Sequence, residues 1–172
     1  GTEEYALATT AVSLAQGFGR SESANVNTAA GVADFAVSLD ALEGELPNCG
    51  AVSLIVSWFG DDLRAGHCSV EPKVAQQEAD GGNMPWTVAG LTRGSADLLA
   101  QVEGRAIYGG TPTDQSVIEA IEALNEAGQE VMFYPFLLME ILADSGKPDP
   151  WSLTGDQPAL PWRGRITCSP AA

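Results

Sequence analysis

The stretch Ala51–Phe59, AVSLIVSWF, is apolar apart from two serines and rich in β-branched residues. Such a run is typical of a strand that is covered on both faces, as in a parallel sheet. A second run of this kind, EVMFYPFLLM, occupies Glu130–Met139. Pro135 has no N–H to donate to a sheet ladder, so we expect the regular strand to end at Tyr134 or to bulge there.

A helix is predicted between these two strands. Thr111 suits the N-cap, Pro112 the first helical position and Asp114 the third, which makes a variant capping box. Gly128 follows as a C-cap signal, so the pattern predicts a helix over residues 114–127. The stripe that this helix would bury comprises Val117, Ile118, Ile121 and Leu124. Strand, helix and strand form a βαβ unit, whose two strands are expected to be parallel neighbours.

The rest of the chain is organised around this unit. An amphipathic helix is predicted before Pro47, on the stripe Phe35, Leu39, Leu42 and Leu46. About fifty residues separate the first strand from its helix, where function-bearing loops grow in a (β/α)8 barrel. The fold class predicted is therefore α/β, the opening βαβ part of a TIM-barrel-like domain with a large insertion after the first strand. We assign residues 1–31 to an N-terminal segment and residues 32–172 to this domain.

The charge balance excludes several classes of partner. The 172 residues include 23 acidic and 8 basic side chains, which give a formal net charge of -15. Such a surface repels phosphate backbones, so we expect no nucleic-acid partner. No apolar run approaches the roughly 20 residues that span a bilayer, so no membrane insertion is predicted.

Targeting and metal signals are also missing from the sequence pattern. No basic region followed by an apolar region opens the chain, so we predict no signal peptide. The three cysteines are widely spaced, and the chain has a single histidine. This pattern indicates neither a disulfide framework nor a zinc site. We predict no cofactor and no metal.

Several stretches carry a resemblance to a known family. They are Val52–Lys73 (VSLIVSWFGDDLRAGHCSVEPK), Tyr108–Ala123 (YGGTPTDQSVIEAIEA), Pro161–Pro170 (PWRGRITCSP) and, less extensively, Phe133–Met139 (FYPFLLM). They resemble the host-specificity proteins of alphaproteobacterial gene transfer agents and related tailed phages. Together they cover about a third of the chain. A later strand of the family's barrel, with its glutamate-containing motif, has no counterpart here, so the resemblance is to the first portion of that domain.

This resemblance implies a function. The family's tail-tip or baseplate hub proteins contain a glycoside-hydrolase TIM-barrel-like domain. The chain is expected to be a structural and host-recognition segment that contacts the cell envelope, located in a virion or virus-like particle tail and made in the bacterial cytoplasm. Other baseplate proteins and a cell-surface glycan are its implied partners. The alternatives are a glycoside hydrolase acting on surface polysaccharide or peptidoglycan and a carbohydrate-binding domain, so whether it is an enzyme stays open.

The candidate catalytic residues are carboxylates that follow the two strands. Asp61 and Asp62 follow the first strand, and Glu140 follows the second. In barrels, this end of the strands carries the catalytic groups. A glycosidase needs two carboxyl groups roughly 5–10 Å apart, and these three are the candidates. Gly60-Asp61-Asp62 suits an ordinary turn or helix cap equally well.

The candidate ligand-binding residues are aromatic and basic. Trp58 and Tyr134 lie near the ends of the two strands, and aromatic faces suit sugar rings. Arg163 and Arg165 stand out in so acidic a chain and are further candidates. Core packing is the alternative for the two aromatics, and salt bridges to nearby carboxylates are the alternative for the two arginines. Further tryptophans occur in the loops, at Trp86, Trp151 and Trp162.

Overall fold

The computed structural model describes residues 2–9, 11–15, 18–152 and 155–168. The last two residues of the PWRGRITCSP stretch lie outside these ranges. Within them the chain is mixed α/β, with small sheets and two helices. The elements in chain order are β1 (Ser13–Ala15), β2 (Ser21–Ser23), α1 (Asp34–Glu45), β3 (Ala51–Gly60), β4 (Val70–Glu71), β5 (Thr87–Val88), β6 (Leu91–Thr92), β7 (Gln101–Val102), β8 (Arg105–Ala106), α2 (Asp114–Glu126), β9 (Glu130–Met139) and a 3-10 turn (Arg163–Arg165).

The central sheet has the strand order β4-β3-β9. Strands β3 and β9 are parallel, and their register is unbroken from Ala51 opposite Glu130 to Gly60 opposite Met139. Strand β4 pairs antiparallel with the last two residues of β3. The expected parallel pairing of the two apolar runs is therefore present, with α2 as the connection between them.

The main core lies between this sheet and α2. Alternate residues of β3 point to the same face, so Leu54 and Val56 both meet the helix. The first helix α1 and Tyr5 close the side of this core, where Tyr5 also donates a hydrogen bond to the Ile55 carbonyl (2.8 Å). The buried residues of the cluster are Leu54, Val56, Val117, Ala120 and Leu124, and Phe35 and Leu39 of α1 pack against them.

The opposite face of the sheet is open around its middle, so the prediction of two covered faces is wrong there, whereas Phe59 near the end of β3 is covered by Tyr108 on this same face. Ile55 is 42% exposed and Tyr134 beside it is 37% exposed. Met132, one pair earlier on the same face, is 62% exposed. An apolar run indicates that both faces of a strand are apolar and need to be buried. It does not indicate that the same stretch of chain supplies the residues that bury them.

The expected end of the second strand at Tyr134 is also wrong, because β9 continues to Met139. The N–H groups of Glu130 and Glu140 donate to the carbonyls of Gly50 and Gly60. Since backbone groups alternate along a strand, even-numbered residues of β9 bond to β3 and odd-numbered residues face away. Pro135 therefore faces the open edge, where its missing N–H costs no bond to β3.

The start of α2 differs from the predicted capping box. The helix begins at Asp114, and its N-cap is Thr113 rather than Thr111. The Thr113 hydroxyl does not cap the helix; it accepts a hydrogen bond from the Thr87 N–H (3.1 Å) instead. Thr111 is fully buried and accepts a hydrogen bond from the Lys73 N–H through its hydroxyl (3.1 Å). Both threonines attach the insertion to the segment that precedes α2, which a local capping pattern does not reveal.

The insertion over residues 61–110 has a small core of its own, and the N-terminal segment packs against it. Glu3 forms an ion pair with Arg93 of the insertion, which is almost fully buried. The Thr2 carbonyl accepts a hydrogen bond from the Thr113 N–H (3.1 Å). The insertion core consists of Val74, Trp86, Val88 and Ala96. No helix in the described ranges is long and apolar enough to cross a membrane.

Candidate functional site

The three candidate catalytic carboxylates lie at the same end of the sheet. Because Gly60 pairs with Met139, the residues that follow the two strands, Asp61 and Glu140, emerge at the carboxyl end of both. This position follows from the parallel pairing of the two strands. Their contacts determine what each carboxylate is able to do, and the three differ sharply in those contacts.

Asp62 is buried in a dense set of hydrogen bonds. Its carboxylate binds the Arg64 guanidinium, at 2.6 Å from Nη2 and 3.0 Å from Nε. It also accepts a hydrogen bond from Gln157 Nε2 at 2.8 Å. Burial pushes the pKa of Asp62 upward, but the bonds from Arg64 and Gln157 outweigh burial and hold that pKa well below its usual range. Asp62 is thus a charged anchor between the end of β3 and the C-terminal segment.

Glu140 is buried and paired with Lys73. Its Oε2 lies 2.6 Å from Lys73 Nζ, and its Oε1 accepts a hydrogen bond from the Ala100 N–H. Burial, with a smaller contribution from the Glu140 charge, raises the pKa of Tyr108. Glu140 therefore joins the end of β9 to Lys73 and Ala100 of the insertion. If Glu140 took part in proton transfer, it would lose its ion pair with Lys73.

Asp61 is the most accessible of the three carboxylates. Its side chain is 38% exposed; Oδ2 lies 3.1 Å from Lys147 Nζ, and Oδ1 accepts a hydrogen bond from the Ser69 N–H (2.8 Å). It borders a polar cavity of about 250 Å³. The other residues lining this cavity are Phe59, Ser69, Glu71, Lys73 and Asp97. Asp61 could contact a small polar ligand there without leaving its present position.

Sequence reasoning missed the partners of these carboxylates. Lys73 and Lys147 lie far along the chain from the strand ends they contact, as does Gln157. The available signal in the sequence is the scarcity of basic residues. A chain with 8 basic and 23 acidic residues is expected to hold most of its lysines and arginines in ion pairs. Among the described residues, no group of three or more His, Cys, Asp or Glu side chains is arranged to hold a metal ion.

Two of the four candidate ligand-binding residues come together on the open face of the sheet. Arg163 Nη2 donates a hydrogen bond to the Tyr134 hydroxyl (3.0 Å). The same guanidinium lies 4.1 Å above the centre of the Phe136 ring, and the Tyr134 and Phe136 rings meet edge to face at 5.8 Å. Within the described residues, Arg163 makes no ion pair with a carboxylate. We call Tyr134, Phe136 and Arg163 the aromatic–guanidinium patch.

The other two candidates lie elsewhere. Trp58 is half-buried and packs between the main core and the insertion core. Arg165 pairs with Asp149 (3.5 Å), and its carbonyl accepts a hydrogen bond from the Trp151 indole N–H. Core packing and a salt bridge, the alternatives considered for these two positions, describe the contacts they make.

Comparison with known proteins does not assign a function to these sites. No protein-family model matches the chain, and no curated protein matches it. Functional inference therefore depends on the residues and contacts described above.

Proposed function

We propose that this chain is a structural and host-recognition segment of a phage-like tail-tip (baseplate) protein and that it contacts the cell envelope. The observation that carries the proposal is the aromatic–guanidinium patch, which leaves Tyr134 accessible and the Arg163 charge unpaired among the described residues. The resemblance of the quoted stretches to tail-tip proteins supports it. In this proposal, β3, α2 and β9 are the opening of a TIM-barrel-like domain, and other baseplate proteins are the neighbours.

The chemistry of the patch suits short-range recognition of sugars. Aromatic rings pack against the apolar faces of sugar rings, and a guanidinium donates several hydrogen bonds to hydroxyl or carboxylate oxygens. The net charge of -15 opposes long-range attraction to an anionic envelope. Binding through the patch is therefore expected to depend on close contacts and only weakly on ionic strength.

Retention on immobilised envelope polysaccharide, measured across a salt series, tests the proposal. We expect Tyr134→Leu and Arg163→Gln to reduce retention about fivefold, which corresponds to about 1 kcal/mol for each lost contact. Arg105→Gln is the matched control, because Arg105 is an exposed arginine on β8. Equal retention of all three variants would contradict the proposal. So would binding that weakens steeply with salt when no divalent cation is added.

The second candidate is a glycoside hydrolase, and the accessibility of Asp61 beside the polar cavity favours it. If Asp61 and Glu140 were the catalytic pair, Asp61→Asn and Glu140→Gln would each lower polysaccharide turnover by several orders of magnitude. We expect turnover at background level in the unmodified chain and in both variants, because both carboxylates are held by lysines. Reducing-end release from purified envelope polysaccharide and peptidoglycan distinguishes the two functions.

A further inference from the structure

An apolar groove lies on the α2 side of the sheet, beside the open edge of β9. It is formed by two adjoining cavities of about 390 and 400 Å³ that share Val56, Trp58 and Phe133. Phe133 is 53% exposed, and Ile118 on the α2 wall is 49% exposed. Pro135 continues the floor of the groove along β9. Large apolar side chains left this accessible next to one another mark a surface that binds another apolar surface.

The α2 side of this groove is acidic. Asp114 lines it directly, and Glu122 lies on the same row of α2 as Ile118, because residues four apart share a helix face. At the other end of the groove the Arg163 guanidinium lies 4.1 Å over the Phe136 ring, so the acidic rim is that of the α2 side. An occupant with basic residues around its apolar face would complement this rim.

The open edge of β9 favours a helix over a strand as the occupant. A strand added to this edge would extend the sheet beside β9 instead of lying in the groove, and Pro135 in the middle of the edge has no N–H to offer it. A helix lying in the groove requires no backbone bonds from that edge. It would present apolar residues at spacings of three and four to Phe133 and Ile118.

A second copy of this chain is a poor occupant. Each copy carries a net charge of -15, so two copies repel one another at moderate salt. The two described helices, DFAVSLDALEGE (Asp34–Glu45) and DQSVIEAIEALNE (Asp114–Glu126), contain no lysine or arginine. Neither helix would therefore complement the acidic rim.

We infer that this groove binds an amphipathic helix of a partner polypeptide, with lysine or arginine flanking its apolar face. The inference deepens the proposed assembly role and rests on it, since it names the class of neighbour that this segment would contact. The groove and the aromatic–guanidinium patch adjoin at Phe136, which also lines the groove, but Phe133 of the groove and Tyr134 of the patch lie on opposite faces of the sheet because they are successive residues of a regular strand. The two surfaces can therefore be tested separately.

Binding of two synthetic peptides to the 172-residue chain tests this inference. Both peptides form about five helical turns, roughly 18 residues, and carry the same leucine face. One has lysine flanks and the other has glutamate flanks. At physiological salt, fluorescence anisotropy should show binding of the lysine peptide and affinity for the glutamate peptide at least about tenfold weaker. We expect Phe133→Asp and Ile118→Glu each to abolish binding of the lysine peptide.

Met132→Asp is the matched control, because Met132 is exposed on the opposite face of the same strand. It should bind the lysine peptide as the unmodified chain does, and thermal melts should confirm that the variants remain folded. Equal affinity for both peptides, or equal loss in Met132→Asp and Phe133→Asp, would overturn the inference. A dimer at physiological salt that Phe133→Asp dissociates would identify a second copy as the occupant and overturn it too.

The outcome is separable from that of the proposed recognition role. Phe133→Asp should leave retention on envelope polysaccharide unchanged, since Phe133 lies on the opposite face from the patch. If the peptides fail to bind while Tyr134→Leu still reduces retention, the helix partner is wrong and the recognition role stands. If peptide binding succeeds and retention is insensitive to Tyr134→Leu, the recognition role is wrong and the groove is an assembly surface alone.

Discussion

Asp62 is expected to contribute more to stability than its accessible neighbour Asp61. Asp62→Asn keeps the side-chain shape but removes the charge that Arg64 and Gln157 hold in a buried position. We expect the free energy of unfolding to fall by about 2 kcal/mol. Asp61→Asn is the control and should change it by less than about 1 kcal/mol, since that pair is partly exposed. Urea denaturation of both variants measures the difference, and equal losses would contradict this account.

Asp62 is also expected to make the stability of the protein depend on pH. Its folded-state pKa is depressed, so its contribution to stability is complete above its unfolded pKa of about 3.9 and is lost as pH falls through the lower, folded value. The stability difference between the unmodified chain and Asp62→Asn should be constant from about pH 5 to 7 and narrow below about pH 4. Urea titrations across this range measure it. A stability difference between the two proteins that grows on acidification would contradict the depressed folded-state pKa of Asp62.

The backbone around Gly81 leaves no space for a side chain. A Cβ there would lie 1.6 Å from the Ala11 carbonyl oxygen and 2.6 Å from that of Met84. Gly81→Ala must therefore displace backbone where the N-terminal segment meets the insertion, and we expect it to lower stability by about 2 kcal/mol or more. Gly82→Ala, with nothing within 4 Å of its Cβ, is the matched control. Thermal melts with equal midpoints for the two variants would contradict this packing.

Among the elements, β9 combines an exposed edge with a residue that protects it. Pro135→Val restores a backbone N–H at the centre of the open edge and adds a residue that favours strands. We expect this variant to self-associate more than the unmodified chain when measured by sedimentation in about 1 M salt, where charge repulsion is screened. Leu137→Val changes a neighbouring side chain without adding a donor and is the control. Equal association of both variants would show that the edge is not what Pro135 protects.

The elements near the sheet were the part most open to sequence reasoning. The apolar runs and the helix between them are local patterns; β3 and α2 occupy the predicted ranges nearly residue for residue, whereas β9 continues five residues beyond its predicted end at Tyr134. The errors concern contacts with parts of the chain that are distant in the sequence. Whether Pro135 faces β3 or the edge depends on which backbone groups β3 uses, and whether Thr111 or Thr113 caps α2 depends on what the insertion binds. Neither fact is contained in the local sequence.

For the whole molecule, apolar attraction and charge repulsion act against each other. The groove around Phe133 favours association, while a net charge of -15 per copy opposes it. We expect a monomer at low salt and reversible association in about 1 M salt, where the screening length falls to about 3 Å. Sedimentation velocity measures the change, and Phe133→Asp should remove the salt-induced association. A chain that stays monomeric at every salt concentration would indicate that the groove is not adhesive.

The candidate site could be located from the sequence but not interpreted from it. Parallel strands end on the same side, so the sequence placed the candidate carboxylates at 61, 62 and 140 after the ends of the two strands without fixing the distances between them. Their roles depend on Lys73, Lys147 and Gln157, which tertiary folding brings to the strand ends from distant positions. The hydrogen bond between Arg163 and Tyr134 likewise joins residues that are distant in the sequence, since Arg163 belongs to the 3-10 turn and Tyr134 to β9.

The parallel register of β3 and β9 has a consequence for synthesis on the ribosome. Each residue of β3 pairs with one made about eighty positions later. At roughly 5–20 residues per second, β3 waits about 4 to 16 s for its neighbour. During that interval AVSLIVSWF is an unpaired apolar strand on a nascent chain. The insertion emerges in the meantime with its own small core around Trp86, and we expect it to form before the sheet closes.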